Sequence, residues 1–228
     1  MQLEKVTTVS SGEPKRRYDD ACGTAHALEL IGDRWTLLVL RELMLGPRRF
    51  SELRGDLPGI SANVLTQRLT EMEQRGLVAR RRLPPPASVQ VYAATEWGLE
   101  AEPIVQSLGR WAARSPGHDP TLPLSGVSLM LSFGTMFDAE RAKKLDARIG
   151  FRLGPDSYLA RIRKGRFKVA RGEAGAGDVL FTASPTAIAA VVYGGVPLGS
   201  VQVEGDRQLA ERFVKLFPLP AKVDADVA

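Results

Sequence analysis

The chain has 228 residues, 44% of them hydrophobic and 25% charged, enough apolar material for one large or two small cores. A single cysteine excludes a disulfide framework within the chain, and no apolar run is long enough to span a bilayer, since the longest, 187–198, is interrupted by Gly194, Gly195 and Pro197. The formal net charge is +5, and the whole excess falls on residues 34–82, where ten arginines stand against five acids; the remainder holds 21 cations and 21 anions.

Residues 1–20 are polar and aperiodic, carry Lys15-Arg16-Arg17, and read as a flexible arm with no secretory signal. A cytoplasmic address is the expectation. Residues 25–45 predict a helical segment in which Leu28, Ile31, Trp35, Leu38 and Leu45 fall near helical spacing. Gly32-Asp33 is a break between two pieces, and Gly46-Pro47 ends the segment because proline cannot continue a helix. A second helix is expected over 50–57 and a tight turn at Pro58-Gly59. A third follows over 61–75, capped by Ser61 and stopped by Gly76. A strand over 77–82 ends in Arg80-Arg81-Arg82 and leads into the turn at 84–86. Thr95 then caps a helix over 96–114 with Leu99, Ile104, Leu108 and Trp111 on an apolar stripe. Helix, helix, turn, helix and basic hairpin is the order in which a winged helix-turn-helix meets DNA.

The third helix can be placed by its periodicity. Leu65, Leu69 and Met72 share one face and belong to the core. The opposite face carries Asn63, Gln67, Thr70 and Gln74, amides and a hydroxyl in place of the usual Lys/Glu mixture. Asn and Gln can pair with adenine in the major groove, and Thr can touch a thymine methyl. The plainer alternative is that these are the outside of an amphipathic helix; the basic hairpin that follows favours DNA. Arg48, Arg49 and Arg54, with Ser51, open the second helix, where phosphate contacts are expected. Arg80, Arg81 and Arg82 alternate faces along their strand, so at most two reach the same edge. The expected DNA-contact set is therefore Arg48, Arg49, Ser51, Arg54, Ser61, Asn63, Thr66, Gln67, Arg68, Thr70, Arg80, Arg81 and Arg82. Arg34 is read instead as an ion-pair partner for Asp33 or Glu42.

Residues 116–125, rich in proline and glycine, read as a linker between a DNA-binding and dimerisation domain over 21–115 and a second domain over 126–220. Residues 221–228 read as a frayed tail. In the second domain the pattern predicts a strand at 127–133, a helix at 138–147, a strand at 150–153 and a hairpin of 157–163 and 166–171 around Lys164-Gly165. A strand at 178–182, a helix at 184–193 opened by Ser184-Pro185, a strand at 200–203 and a helix at 207–216 capped by Asp206 complete it. That is an α+β arrangement with a mainly antiparallel sheet.

The run from Cys22 through Ala27-Leu28-Glu29-Leu30-Ile31-Gly32-Asp33-Arg34-Trp35-Thr36 closely resembles the opening of the HxlR family of bacterial winged-helix regulators. Three further stretches match: Leu45-Gly46-Pro47-Arg48-Arg49-Phe50-Ser51-Glu52-Leu53, then Pro58 through Leu69, then Glu73-Gln74-Arg75-Gly76-Leu77-Val78. The resemblance covers about two fifths of the chain, 22–113. It implies a homodimeric DNA-binding repressor or activator whose dimer forms through the helices over 25–45 and 96–114. It departs at Gly23, where many members carry proline. Some relatives use a cysteine in this region as a redox or electrophile sensor, which makes Cys22 a candidate redox residue; the alternative is a small, partly buried residue at a helix start.

The phrase Asp178-Val179-Leu180-Phe181-Thr182-Ala183-Ser184-Pro185 before an apolar helix and Gly194-Gly195 resembles the sterol-carrier-protein type 2 fold, as does Val201-Gln202-Val203-Glu204-Gly205-Asp206. That resemblance implies an apolar cavity taking a small hydrophobic effector, lined by Phe133, Met136, Phe137, Phe151, Phe181, Ile188, Val192 and Phe213, though each could equally be plain core. No enzyme is expected. His26 and His118 are the only histidines, and zinc spacings, nucleophile elbows and Walker motifs are absent. Gly175-Ala176-Gly177 reads as a turn, and Asp178, Glu204 and Asp206 as caps. No cofactor or metal is implied. The expected function is a dimeric, ligand-sensing regulator, more often a repressor, on an inverted-repeat DNA operator. The alternative is a hydrophobic-ligand carrier or sequestration protein that uses its winged helix as an interaction module, with an enzyme built on the C-terminal cavity as a third reading.

Overall fold

The computed structural model describes residues 18–224; the arm expected over 1–20 lies almost wholly outside them. The first half contains α1 (Gly23–Ile31), α2 (Thr36–Leu43), α3 (Phe50–Asp56), α4 (Ala62–Gln74), β1 (Val78–Arg82), β2 (Gln90–Ala94), α5 (Glu96–Leu99) and α6 (Glu102–Ala112). The break at Gly32-Asp33 has a definite cause. The Asp33 carboxylate accepts from the backbone N–H groups of Trp35 and Thr36, at 2.9 and 3.1 Å, and from the Thr36 hydroxyl. It thereby serves the orphan donors of a new helix start. Partial burial works to raise this carboxyl, but those donors together with Arg68 hold it below the usual carboxylate range.

The helix expected over 96–114 is two helices. Thr95 caps the first as anticipated, its hydroxyl accepting from Gly98 N–H at 3.0 Å. Pro103, lacking an N–H, then starts a fresh helix rather than extending the old one.

The second half contains α7 (Gly126–Met136), β3 (Asp146–Leu153), β4 (Asp156–Arg163), β5 (Arg166–Arg171), β6 (Val179–Thr182), α8 (Pro185–Tyr193), β7 (Gln202–Gly205) and α9 (Arg207–Phe213). Two sequence expectations fail here. The strand expected at 127–133 is α7, capped by Ser125, whose hydroxyl accepts from Ser128 N–H at 2.9 Å. The helix is buried nearly all round, so its sequence shows no polar stripe, and an apolar run of that kind does not distinguish helix from strand. The helix expected at 138–147 is a set of turns, and Asp146 and Ala147 already belong to β3.

The five strands form one sheet in the order β5-β4-β3-β6-β7, antiparallel throughout except for the parallel pair β3/β6. Lys164 (φ 51°) and Gly165 (φ 67°) make the tight turn of the β4/β5 hairpin. Helices α7, α8 and α9 contribute Phe133, Ile188 and Phe213 to one buried cluster with Phe151 and Phe181 of the sheet.

The two halves share one continuous buried cluster. Helix α7 packs on α6 and α2 of the first half. Glu42 is fully buried at this junction, where its carboxylate accepts from Ser125 Oγ at 2.9 Å and pairs with Arg41 at 2.7 Å. The tail expected to fray is partly fastened: Val223 N–H donates to the Arg114 carbonyl at 2.9 Å, and Lys222 Nζ to that of Ser115.

Candidate nucleic-acid interface

Helix α4 sits as its periodicity requires. Leu65, Leu69 and Met72 are inaccessible, and Asn63, Thr66, Gln67, Thr70 and Gln74 are exposed. Ser61 caps it, its hydroxyl accepting from Val64 N–H at 3.2 Å. The Thr66 and Thr70 hydroxyls donate to the carbonyls of Ala62 and Thr66, at 2.9 and 3.0 Å. Their methyls and remaining lone pairs are left outward. Gln67 Nε2 donates to Glu71 at 3.2 Å. Asn63 and Gln74 have no side-chain partner among the described residues. The α4 surface therefore offers amides and methyls, the groups that read base edges.

Arg49, Ser51 and Arg54 are exposed on α3 and at its start. Glu52 accepts from the Arg49 backbone N–H at 2.8 Å and steadies the first turn. On the wing, β1 and β2 pair antiparallel, with Arg80 opposite Tyr92, Arg81 opposite Val91 and Arg82 opposite Gln90. Arg80 lies 5.6 Å over the Tyr92 ring and reaches Glu73 of α4 at 2.9 Å, which ties the wing to the reading helix. Arg82 Nε donates to the Ser88 carbonyl at 3.0 Å. The three arginines, Ser88 and Gln90 line a groove of about 470 Å³. Ser88, in the loop ahead of β2, and Gln90, at its start, carried no charge signal in the sequence.

Three arginines are placed otherwise than their sequence suggests. Arg48, expected on DNA, is buried at 6% exposure. Its guanidinium bonds Asp56 and, at 2.9 Å, Asp156 of the second half. Burial works against its charge, but the two carboxylates outweigh that and hold it protonated more firmly than an ordinary arginine. Arg68, also expected on DNA, is drawn back to Asp33 at 3.2 Å and Glu71 at 2.9 Å. Arg34, expected to pair with Asp33 or Glu42, is exposed and lies 5.3 Å over the Trp35 ring. Arg68 and Arg41 take the acids instead.

The eight residues expected to line an apolar pocket do gather. Phe151 stacks on Phe181 at 5.5 Å, and Phe133 stacks on Phe217 at 4.6 Å. Phe213 meets Phe133, Phe151 and Phe181 at 5.6–5.7 Å. Met136 and Ile188 are buried in the same cluster, and Phe137 and Val192 pack on its edge. Phe217, which the sequence reading passed over, is central. Tyr193 at the rim bonds Ser132 Oγ at 2.8 Å. Cys22 is exposed, contrary to the partly buried alternative. Backbone N–H groups of Thr24 and Ala25 and the Thr24 side chain lower its thiol pKa. Among the described residues no cluster of side chains suits a metal ion, and no helix is long and apolar enough to cross a membrane.

A family model for HxlR-like helix-turn-helix proteins matches residues 30–119. The uncharacterized HTH-type transcriptional regulator YkvN of Bacillus subtilis (strain 168) is 42% identical over 94 residues, 40% of this chain and 77% of that protein. The HTH-type transcriptional regulator YodB of the same organism is 38% identical over 86 residues, 38% of this chain and 77% of that protein. Among solved structures, the reduced form of YodB from B. subtilis aligns with 43% of this chain and 98% of its own. That alignment has 35% identity and a TM-score of 0.39.

Proposed function

The chain belongs to the HxlR-like helix-turn-helix family of transcriptional regulators, and from that premise we propose that it works as a homodimeric repressor on inverted-repeat operators. The observation that carries this is the joint exposure of the α4 amide and hydroxyl face, the α3 arginines Arg49 and Arg54, and the wing arginines. Asn63, Thr66, Gln67 and Thr70 set sequence preference. Arg49, Ser51, Arg54, Ser61 and Arg80–Arg82 hold phosphates. Two copies of α4 enter successive major grooves about 34 Å apart.

A second copy is the natural cover for the terminal helices. Leu28, Trp97, Leu99, Ile104, Leu108 and Trp111 are 41–74% exposed, and Ile104, Leu108 and Trp111 recur on one stripe of α6. A monomer rarely leaves such a surface in water. In sedimentation, Leu108→Glu/Trp111→Glu is expected to run as a monomer with weakened operator binding; an unchanged dimer refutes this interface.

The second unit, over 126–220, is proposed as a sterol-carrier-like sensor of a small hydrophobic molecule, favoured by its aromatic cluster beneath α7 and α8. The rings are closely packed, so an effector enters by repacking them. Since α7 also packs on α2 and α6, repacking there reaches the reading head. It changes operator affinity only if the effector prefers one dimer geometry. Cys22, exposed with a lowered thiol pKa, meets the two conditions for a reactive thiol. A response to oxidants that persists in Cys22→Ser eliminates it.

The decisive test is selection of genomic fragments by the purified protein at near-physiological salt. Recovery of a short imperfect inverted repeat is expected. Recovery of sequence-independent, salt-sensitive binding alone puts the hydrophobic-ligand carrier reading first.

A further inference from the structure

The outer face of the five-stranded sheet is strongly basic at one end, where the stretch 148–171 carries eight cations against Asp156 alone. Strand register produces it. Arg148, Arg161 and Lys168 stand directly opposite one another on β3, β4 and β5. Arg163 and Arg166 are opposite in the next row, and Lys164 follows in the turn. All six are exposed. Arg161, Arg163, Lys164, Arg166 and Lys168 line one open concavity of about 670 Å³ with no acid among its walls. Facing residues on neighbouring strands have Cβ atoms about 5 Å apart, and like charges so placed repel. Among the described residues only Arg148, with Asp178, and Arg163, with Asp146, have ion-pair partners, all of them substantially exposed. The fold thus holds Arg161, Lys164, Arg166 and Lys168 together with no acid of their own, the two nearby carboxylates being taken by Arg148 and Arg163.

We infer that this face is a second DNA-binding surface, holding the phosphate backbone of the duplex outside the segment read by α4. The inference rests on the DNA-binding reading given above. Three observations favour a duplex over a small anion. The concavity is shallow and walled by long side chains, whereas small-molecule sites are enclosed and mainly apolar. Its cations spread over two strands and the turn between them, with Arg148 of a third strand in the same row, as an extended polyanion requires. The β4/β5 hairpin also springs from the reading head: Asp156 at its root bonds Arg48 just ahead of α3, and Arg171 bonds Asp156 at 2.6 Å. Five residues of strand, about 17 Å, separate Arg171 from Arg166. The cations therefore lie within one turn of duplex, about 34 Å, of that anchor.

The test compares the full-length protein with Arg161→Gln/Arg163→Gln/Arg166→Gln/Lys168→Gln. Each is titrated, across a salt series, into duplexes of about two and about six helical turns that carry the selected repeat at their centre. The wild type is expected to show a log–log salt slope steeper by about three on the long duplex, at roughly 0.9 per phosphate engaged. The fourfold variant should lose that increment while matching the wild type on the short duplex. Equal slopes on both lengths in the wild type overturn the inference whatever the variant does. So does a length increment that survives in the variant. One-to-one binding of inorganic triphosphate that the variant loses, with no length increment, identifies a small-anion site and also overturns it. Intact short-duplex binding in these cases leaves the regulator reading standing. If selection yields no repeat, the same slopes are read on a mixed-sequence long duplex, where equal slopes for wild type and variant again overturn it.

Discussion

Replacing Arg48 by alanine removes a guanidinium that joins the two halves of the molecule. In the wild type it bonds Asp56 of α3 and Asp156 at the root of the β4/β5 hairpin, and approaches the exposed Glu52 at 3.8 Å; Arg48 itself is 6% exposed. The substitution leaves Asp56 with no cation and Asp156 with Arg171 alone. Removing one partner of a buried ion pair costs about 3–5 kcal/mol when the remaining charge stays desolvated; Asp56 and Asp156 keep some contact with water, which places the cost at the lower end, about 3 kcal/mol. In a chain of this size 1 kcal/mol moves the midpoint by about 2–4 °C, so Tm should fall by roughly 10 °C. Thermal unfolding followed by circular dichroism reads that directly. The salt dependence of binding to a mixed-sequence duplex, at a temperature where both proteins are folded, supplies the second readout. Arg48 makes no DNA contact in this account, so the slope should stay unchanged. A wild-type Tm together with a slope shallower by about one would refute the reasoning and return Arg48 to the phosphate backbone, where its position in the sequence suggested it.

Gln67→Ala should relax base preference in a selection experiment, whereas Arg81→Ala should weaken all sequences alike and flatten the salt slope by about one; equal effects of both on every sequence contradict the division of labour. Glu42 is buried, and that burial raises its carboxyl above the usual range against the pull of Arg41 and Ser125. A carboxyl harder to ionise folded than unfolded costs stability as pH rises through and above the ordinary carboxylate range, so Glu42→Gln should remove a decline in Tm over that interval. Asp33 has the opposite sign: its depressed folded pKa contributes stability that is lost as pH falls below the ordinary carboxylate range, and Asp33→Asn should make acid unfolding less steep. Asp33→Ala at neutral pH should cost about 1 kcal/mol as a lost helix cap, measured by urea unfolding.

Local chemistry wrote much of the first half into the sequence. Ser61 and Thr95 cap the helices they precede, the Gly32-Asp33 break is a cap, and the 3.6-residue period of Leu65, Leu69 and Met72 fixes which face of α4 meets solvent. These depend on neighbours within a few residues, so they survive without knowledge of the fold. The Lys164-Gly165 turn and the Ser184 and Asp206 caps were legible for the same reason. Helix α7 was not: an element buried on every side loses the polar stripe that reveals its period, and only the helices and sheet around it decide between helix and strand.

The destinations of the charges were likewise decided by the tertiary structure. Arg48, Arg49 and Arg54 look alike along the chain, yet the approach of Asp156, 108 residues away, takes the first of them from the exposed face that carries the other two. Arg148, Arg161 and Lys168 belong to a stretch, 148–171, that holds eight cations against Asp156 alone, and strand register sets these three in one row. An ionic partner is chosen by distance in space, which falls to a few ångströms between residues the sequence keeps far apart. Charge counted along the chain marks both 34–82 and 148–171 as basic, but only strand register shows which cations share a face of the sheet.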